Sequence, residues 1–267
     1  MAIITKKQGQ LEYLTAEGIT VPHCFTTRLG GVSEGYLSSL NIGMHRGDDP
    51  KNVEANYRIL GAALGFSLED LVLTRQIHTD MVRVVTRKDA GRGLDHRDFP
   101  ECDALITKDP GVALVVFTAD CTPILFHDPI TGAVGAAHAG WKGTALGIAA
   151  RTVEAMVREF GCEPKNIRAA IGPNISACCF ETDADVPDAM IGALGEDAKA
   201  FITPKGDKYY VNLKEVNALV LRRAGVTHIE ISDECTMCHP ERFWSHRVTL
   251  GKRGAQGGII VCKEVQP

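Results

Sequence analysis

The sequence contains no long apolar run and no excess of positive charge. None of its hydrophobic stretches approaches the roughly 18 consecutive residues that a membrane-spanning helix requires. Residues 1–7 lack the apolar core and the small-residue cleavage site of a signal peptide. The formal net charge is −4, so the chain has no basic field to attract a nucleic-acid backbone. We therefore expect a cytoplasmic protein that binds neither membranes nor nucleic acids.

Internal repeats, low-complexity segments and linkers rich in Pro, Gly and Ser are also missing. The chain has 267 residues, 45% of them hydrophobic and 23% charged, which is typical of globular proteins. We expect one domain over residues 1–267. The nine cysteines are an odd, scattered set that favours reduced thiols over a disulfide framework. Nothing in the sequence indicates an obligate partner, so we expect a monomer.

The apolar pattern predicts both strands and helices. Short runs rich in β-branched residues predict strands at 112–117, 123–126, 133–137, 167–171 and 259–262, with a turn at 128–132 forming a hairpin. Asp49 and Pro50 begin one helix, Thr144 begins a second that Gly161 ends, and residues 212–224 form a third. We therefore expect an α/β, single-domain layered fold with a mixed or antiparallel sheet covered by helices.

Three polar residues interrupt apolar segments where strands are expected to end. They are His78, Cys121 and His138. Two imidazoles and a thiolate form a suitable ligand set for Zn²⁺, with a fourth position open to water or substrate. His78 and Cys121 are 43 positions apart, a spacing that matches no local metal motif, so the residues alone leave ordinary packed side chains as the alternative.

The segment after His138 carries a second candidate feature. Residues 140–144 (GWKGT) place two glycines and a lysine at the expected start of a helix, where backbone N–H groups suit an anion such as phosphate. A tight turn that needs its glycines explains the same residues.

Cys235, Cys238 and His239 match the attachment pattern of a c-type haem. Haem attachment normally requires an exported chain, and a paired zinc site requires a second Cys or His pair, which we do not find nearby in the sequence. We interpret this segment as a loop with incidental thiols.

Several short motifs occur in order over nearly the whole chain. They are TTRLGGVS (26–33), SLNIG (39–43), GDDP (47–50), QIH (76–78), CDALIT (102–107), TADC (118–121), HAGW (138–141), IGP (171–173), CFE (179–181), NLK (212–214), CT (235–236) and FWSHR (243–247). Together they make the chain resemble the YfiH/YlmD family, once called laccase-domain or polyphenol oxidase proteins.

The resemblance implies an α/β domain with one zinc site whose ligands correspond to His78, Cys121 and His138. The family is associated with phosphorolysis of the purine nucleosides adenosine, inosine and methylthioadenosine, in which phosphate releases the free base, and also with adenosine deamination. Some bacterial members are linked instead to removal of a wrongly attached L-serine from a UDP-MurNAc intermediate.

The older oxidase name implies several copper ions held by many histidines. This chain has nine histidines and none at His-x-His spacing, so a single Cys/His/His centre fits zinc better than copper.

For phosphorolysis we expect the residues to divide the work. His78, Cys121 and His138 would hold the zinc ion that positions or activates the reacting group. Arg28 and Arg247 would bind phosphate, because a guanidinium fork suits phosphate oxygens. Asn41 and Gln76 would orient substrate hydroxyls or the edge of the base.

Two further interpretations stay open. Cys121 and His138 could act as nucleophile and base in amide hydrolysis, which suits the serine-editing activity. A purely structural zinc ion would normally have four protein ligands, and no fourth ligand is apparent, so we rank that interpretation last.

Overall fold

The computed structural model describes residues 2–95 and 99–264. Within them the strands are β1 (Ile3–Gln8), β2 (Leu11–Ala16), β3 (His23–Thr26), β4 (Leu71–Leu73), β5 (Val82–Val84), β6 (Ala104–Thr107), β7 (Ala113–Thr118), β8 (Thr122–His127), β9 (Val134–Ala139), β10 (Arg168–Ile171), β11 (Glu181–Thr182), β12 (Ile202–Lys205), β13 (Lys208–Val211), β14 (His228–Ile231) and β15 (Gln256–Val261). The helices are α1 (Pro50–Leu64), α2 (Trp141–Ala145), α3 (Ile148–Phe160), α4 (Asp185–Leu194), α5 (Leu213–Arg223) and α6 (His246–Thr249).

Two large mixed sheets form the framework. The first has the order β1-β2-β3-β15-β7-β4, in which only the β4–β7 pair is parallel. The second has the order β14-β10-β8-β9-β6-β5, in which β10–β14 and β5–β6 are the parallel pairs. A small third sheet joins β11, β13 and β12. The expected α/β fold with mixed sheets and helices is confirmed.

The second sheet is buried on both of its faces. Leu125 belongs to the hydrophobic cluster shared with the first sheet and α1, whereas its neighbours Ile124 and Phe126 belong to the cluster formed with α3 and α5. Successive side chains of a strand point to opposite faces, so a strand between two apolar layers needs a continuous apolar run. That is why the strands predicted at 123–126 and 133–137 contain almost no polar residue.

The predicted helix starts at Asp49 and Asn212 are both confirmed. Asp49 accepts a hydrogen bond from the Lys51 N–H at 2.9 Å, and Asn212 accepts one from the Glu215 N–H at 3.3 Å. Glycine ends α1, since Gly65 adopts a φ of 75° that other residues rarely adopt. Of the helices described, none is long and apolar enough to cross a membrane.

The single helix expected from Thr144 to Gly161 is wrong. The structure has two helices, α2 and α3, because Gly147 adopts a left-handed φ of 81° between them. His138 also lies inside β9 rather than after it, since the pairing of β9 with β8 continues to Ala139.

The chain crosses between the two sheets at two places that matter for the site. One crossing follows β4 and contains His78, and the other joins β7 to β8 and contains Cys121. The predicted 128–132 hairpin joins β8 to β9, whose C-terminal end carries His138. The topology therefore brings three distant segments to one edge.

Candidate metal centre and substrate pocket

The structure brings His78, Cys121 and His138 together. Their candidate ligand atoms all lie within 4.8 Å of one another. The two imidazole rings are nearly perpendicular, at 81°, with centroids 4.8 Å apart. Two imidazoles and a thiol at this separation fit a single metal ion such as zinc or copper, with room for a further ligand.

Gly140 makes this close approach possible. A Cβ atom at that position would lie 2.5 Å from Nδ1 of His78 and 3.3 Å from Sγ of Cys121. Any larger residue would therefore displace the His78 ring. The glycine that the sequence associates with a helix start serves here to admit a side chain from another loop.

The carboxylate of Asp103 organises two of the three residues. It is fully buried and accepts hydrogen bonds from the backbone N–H groups of Ile77, His78 and Thr79 at 2.8–3.1 Å. The same carboxylate lies 2.8 Å from Nδ1 of His138. A ring that donates through Nδ1 presents the lone pair of Nε2 to a metal, so Asp103 selects the useful tautomer.

Asp120 performs a similar task next to Cys121. Its carboxylate accepts hydrogen bonds from the Thr236 hydroxyl and from the Arg247 N–H, each at 2.7 Å. Asp120 has a φ of 85° and His78 one of 61°, values that are uncommon for residues other than glycine. Such conformations persist where surrounding bonds hold them, and here both adjoin the candidate ligands.

The electrostatics of the site favour a cation. Burial lowers the pKa of His138, but the negative charges of Cys121 and Asp103 outweigh burial and raise that pKa to about 9. Burial, followed by the adjacent His138, lowers the pKa of the His78 imidazole. Burial would raise the pKa of Asp103, yet the His138 ring and the backbone N–H groups hold it below its usual value. The carboxylate therefore stays ionised beneath the ligands.

A cavity of about 260 Å³ opens above these residues. His78, Cys121 and His138 lie in its wall together with Arg46 and Arg253. That volume is near the lower end of the range for small-molecule sites, which begins at about 300 Å³. The cavity can therefore hold a small ligand in contact with both the metal-binding residues and two guanidinium groups.

Known proteins share this architecture and sequence. A family model described as multi-copper polyphenol oxidoreductase laccase matches residues 22–263. The chain is 41% identical over 246 residues to "Purine nucleoside phosphorylase YlmD" of Geobacillus stearothermophilus, covering 90% of this chain and 89% of the relative. It is 34% identical over 227 residues to "Purine nucleoside phosphorylase YfiH" of Escherichia coli, covering 85% and 88%. The crystal structure of the Bacillus licheniformis hypothetical protein YfiH matches with a TM-score of 0.90 at 39% identity, covering 97% of this chain and 99% of that one.

The chain belongs to the YfiH/YlmD family. The resemblance expected from its motifs is thereby confirmed, and relatives in the family carry the name of an enzyme, purine nucleoside phosphorylase. The description of the matching family model instead mentions copper.

The arginines that line the cavity of this YfiH/YlmD chain are not those predicted. Arg46 and Arg253 form no ion pair with a carboxylate in the described part of the chain, and the Arg253 Nε atom is buried without a hydrogen-bond partner. Burial, followed by repulsion from Arg46, lowers the pKa of Arg253 to about 10. The buried Thr118 hydroxyl in the same wall also has no hydrogen-bond partner among the residues that the structure describes. Buried polar groups without a partner are rare, and the position of these two in the cavity wall fits a site for a polar ligand.

Arg28 and Arg247, the predicted phosphate ligands, do not lie in the wall of this cavity. The Arg28 guanidinium stacks on Trp244 at 3.8 Å and donates to the carbonyl oxygens of Ser38 and Pro240. The Arg247 guanidinium donates to the Glu181 carbonyl at 3.1 Å, while its backbone N–H holds Asp120. Their contacts are those of residues that stabilise loops around the site.

Gln76 and Asn41 are both close to the cavity but are engaged in internal hydrogen bonds. The Gln76 amide lines the cavity and pairs with the backbone N–H and C=O of Phe117 at 2.6 and 2.8 Å. Asn41 is fully buried and accepts hydrogen bonds from the N–H groups of Gly43 and Ala255, which themselves line the wall. Both side chains therefore shape the wall.

Nothing local in the sequence distinguishes Arg46 and Arg253 from surface arginines. Each has glycine neighbours, and the glycine-rich segment 251–258 is the only sequence feature that could have drawn attention to Arg253. Lys142 of the GWKGT segment is exposed above the Trp141 ring and does not line the cavity.

Cys235 and Cys238 were interpreted as incidental thiols because no second cysteine pair was found near them, and that premise is wrong. The second cysteine pair that seemed to be missing is Cys178 and Cys179, and all four sulfur atoms lie within 4.8 Å of one another. The two pairs are about 60 positions apart and meet only in the folded chain.

Proposed function

We propose that this chain is a zinc-dependent purine nucleoside phosphorylase that acts on adenosine, inosine or methylthioadenosine. The observation that carries the proposal is one cavity that joins the His78, Cys121 and His138 triad to Arg46 and Arg253. Phosphorolysis needs a site for a phosphate anion beside a site for a neutral nucleoside. Two guanidinium groups without carboxylate partners among the described residues supply the first of these.

The side chains divide the reaction as follows. Arg46 and Arg253 bind phosphate and direct one of its oxygens to C1′ of the ribose. The C1′–oxygen bond forms as the C1′–nitrogen bond breaks, the electron pair of the latter leaves with the purine, and the proton of hydrogen phosphate passes to the base nitrogen. The products are the base and ribose 1-phosphate, or 5-methylthioribose 1-phosphate when methylthioadenosine is the substrate. The Thr118 hydroxyl, which has no partner among the described residues, can bond a substrate oxygen.

The metal ion belongs on His78, Cys121 and His138, with Asp103 holding the His138 ring. When bound, zinc supplies Lewis acidity to a substrate group in the cavity. We prefer zinc to copper because this triad is the only histidine-containing metal cluster found among the described residues, whereas a multicopper site needs several more histidines. The nine cysteines form no disulfide, which supports a reducing compartment such as the cytoplasm, and we keep the expectation of a monomer from the sequence.

Chromatographic product analysis tests this proposal. Purified protein of known zinc content is given adenosine, inosine and methylthioadenosine, each with and without phosphate. Release of free base only when phosphate is present is the expected result. Inosine formed from adenosine without phosphate would show adenosine deamination instead, and an absence of any turnover would contradict the proposal.

One observation favours a second candidate function, amide hydrolysis on UDP-MurNAc-L-serine. Cys121, His138 and Asp103 are arranged as a nucleophile, a base and an orienting carboxylate, since Cys121 Sγ lies within 4.8 Å of a ligand nitrogen of the ring that Asp103 holds. Alkylation separates the two functions. A zinc-bound Cys121 resists iodoacetamide until a chelator removes the metal, whereas a free nucleophile reacts at once and activity is lost with it.

A further inference from the structure

The four cysteines outside the cavity lie at the ends of two neighbouring strands. β10 and β14 are parallel, so both chains leave the second sheet at the same edge. Their pairing extends beyond the strands through a bridge between Asn174 and Cys235, where the Thr236 N–H donates to the Asn174 carbonyl at 2.9 Å. The loops that follow bring Cys178 and Cys179 against Cys235 and Cys238.

The distances between the sulfur atoms fit a shared metal ion. Cys238 Sγ lies 3.6 Å from Cys178 Sγ and 3.4 Å from Cys179 Sγ, and all four sulfurs fall within 4.8 Å of one another. A disulfide needs about 2.05 Å. Four thiolates around zinc, each at about 2.3 Å in a tetrahedron, stand about 3.8 Å apart.

We propose that Cys178, Cys179, Cys235 and Cys238 bind a second zinc ion, separate from the His78, Cys121 and His138 triad. Four protein ligands close the coordination shell, so this ion is structural. The Ser176 N–H points at Cys235 Sγ at 3.4 Å, as expected for a thiolate. The buried Lys214 ammonium, which donates to the Ser176 hydroxyl and the Glu234 carbonyl, adds a positive charge near the four thiolates.

The second ion would connect two loops that support the wall of the cavity. It joins the loop after β10 to the loop after β14, and the latter continues through Thr236 to Arg247. Thr236 and Arg247 both donate to the carboxylate of Asp120, the residue that precedes Cys121. The cysteine cluster therefore stabilises the segment that presents Cys121, although none of its sulfurs lines the cavity.

Zinc stoichiometry by elemental analysis tests the site without using activity. Protein purified under reducing conditions is expected to hold two zinc ions per chain. Cys238→Ser and Cys179→Ser should each remove one ion and leave the other, and Cys121→Ala should remove the other and leave this one. His239→Ala is the matched control, because His239 adjoins Cys238 but its ring contacts Glu241 at 3.4 Å. That variant should keep both ions.

The wild-type protein provides a second measurement in case a variant does not fold. Cys178 and Cys238 are exposed, so free thiols at these positions would react quickly with iodoacetamide. Bound to zinc, they should become alkylated only after chelation, as peptide mass spectrometry would show. Three results would each overturn the proposal. They are rapid alkylation of Cys178 and Cys238 in the native protein, a Cys179–Cys238 disulfide in protein kept under reducing conditions, and a zinc content that is unchanged in both serine variants. None of these results depends on the proposed phosphorylase activity.

Discussion

The buried carboxylate of Asp103 lies 2.8 Å from the imidazole Nδ1 of His138, and neither side chain is more than 3% exposed. The same carboxylate receives three N–H groups from the loop that carries His78. One aspartate therefore determines the orientation of two candidate metal ligands, one in the loop after β4 and one in β9. The lowered pKa and complete burial of Asp103 suit this positioning role.

Asp103→Asn keeps the shape of the side chain but removes its charge and one acceptor. We expect zinc affinity at the triad to fall ~10–100-fold, the usual effect of removing a partner that orients a metal-bound histidine. Competition with a chromogenic chelator measures the affinity. Asp80→Asn is the control, since Asp80 lies in the same loop but faces Arg151 at 3.6 Å. Equal affinities for the two variants would contradict the role given to Asp103.

Gly140→Ala should eject the His78 ring, because the added Cβ would stand 2.5 Å from its Nδ1. We expect loss of zinc from the triad with the rest of the fold retained. Zinc analysis together with circular dichroism checks both parts. Gly192→Ala, in α4 with no heavy atom within 4 Å of the added Cβ, should retain its zinc. A full zinc content in Gly140→Ala would contradict the prediction, because it would show that the His78 ring can shift and still bind the metal ion.

Arg253→Gln should raise the KM for phosphate ~10–100-fold while the KM for the nucleoside changes little. A hydrogen bond from a charged group contributes ~1.5–3 kcal/mol, which corresponds to a change of this size. Initial rates at varied phosphate concentration give the value. Arg247→Gln is the matched variant, since its guanidinium binds the Glu181 carbonyl outside the cavity wall. If Arg247→Gln raised the KM for phosphate more than Arg253→Gln does, the phosphate-binding role that the sequence analysis gave to Arg247 would be supported instead.

Acid should destabilise the protein through His127, which is buried on β8 with no hydrogen-bond partner for its Nδ1 among the described residues. Burial, followed by repulsion from Arg168, lowers the pKa of His127 to about 4 from 6.5. Between pH 4 and pH 6.5 His127 is protonated in the unfolded chain but neutral in the folded one. The full contribution of His127 to the free energy of unfolding is therefore present above pH 6.5. It decreases as the pH falls toward 4, by up to about 3 kcal/mol.

Urea unfolding at several pH values measures this contribution as the difference between wild type and His127→Gln. The variant should lose less stability than wild type between pH 6.5 and pH 4. His228→Gln is the control, because that imidazole is exposed at the start of β14. Parallel curves for wild type and His127→Gln would contradict the prediction.

Local sequence signals were sufficient for several elements. Asp49 and Pro50 define the start of α1 through a capping contact with a residue close along the chain. The strands β8 and β9 follow from apolar runs, because both faces of the second sheet are covered. The helix break at Gly147 was missed, since an apolar stripe of helical period continues across it and only the φ of one glycine interrupts it.

The sequence by itself determined the family, the α/β class, the helix caps and the three residues at the candidate metal centre, since these depend on ordered motifs and on neighbours close along the chain. Tertiary structure alone decided which arginines face the cavity, what Asp103 does, and that Cys178 and Cys179 meet Cys235 and Cys238. The reason is physical: these contacts form only where strands from distant segments end at one edge of a sheet. The spacing of these residues along the chain does not predict which of them meet at that edge.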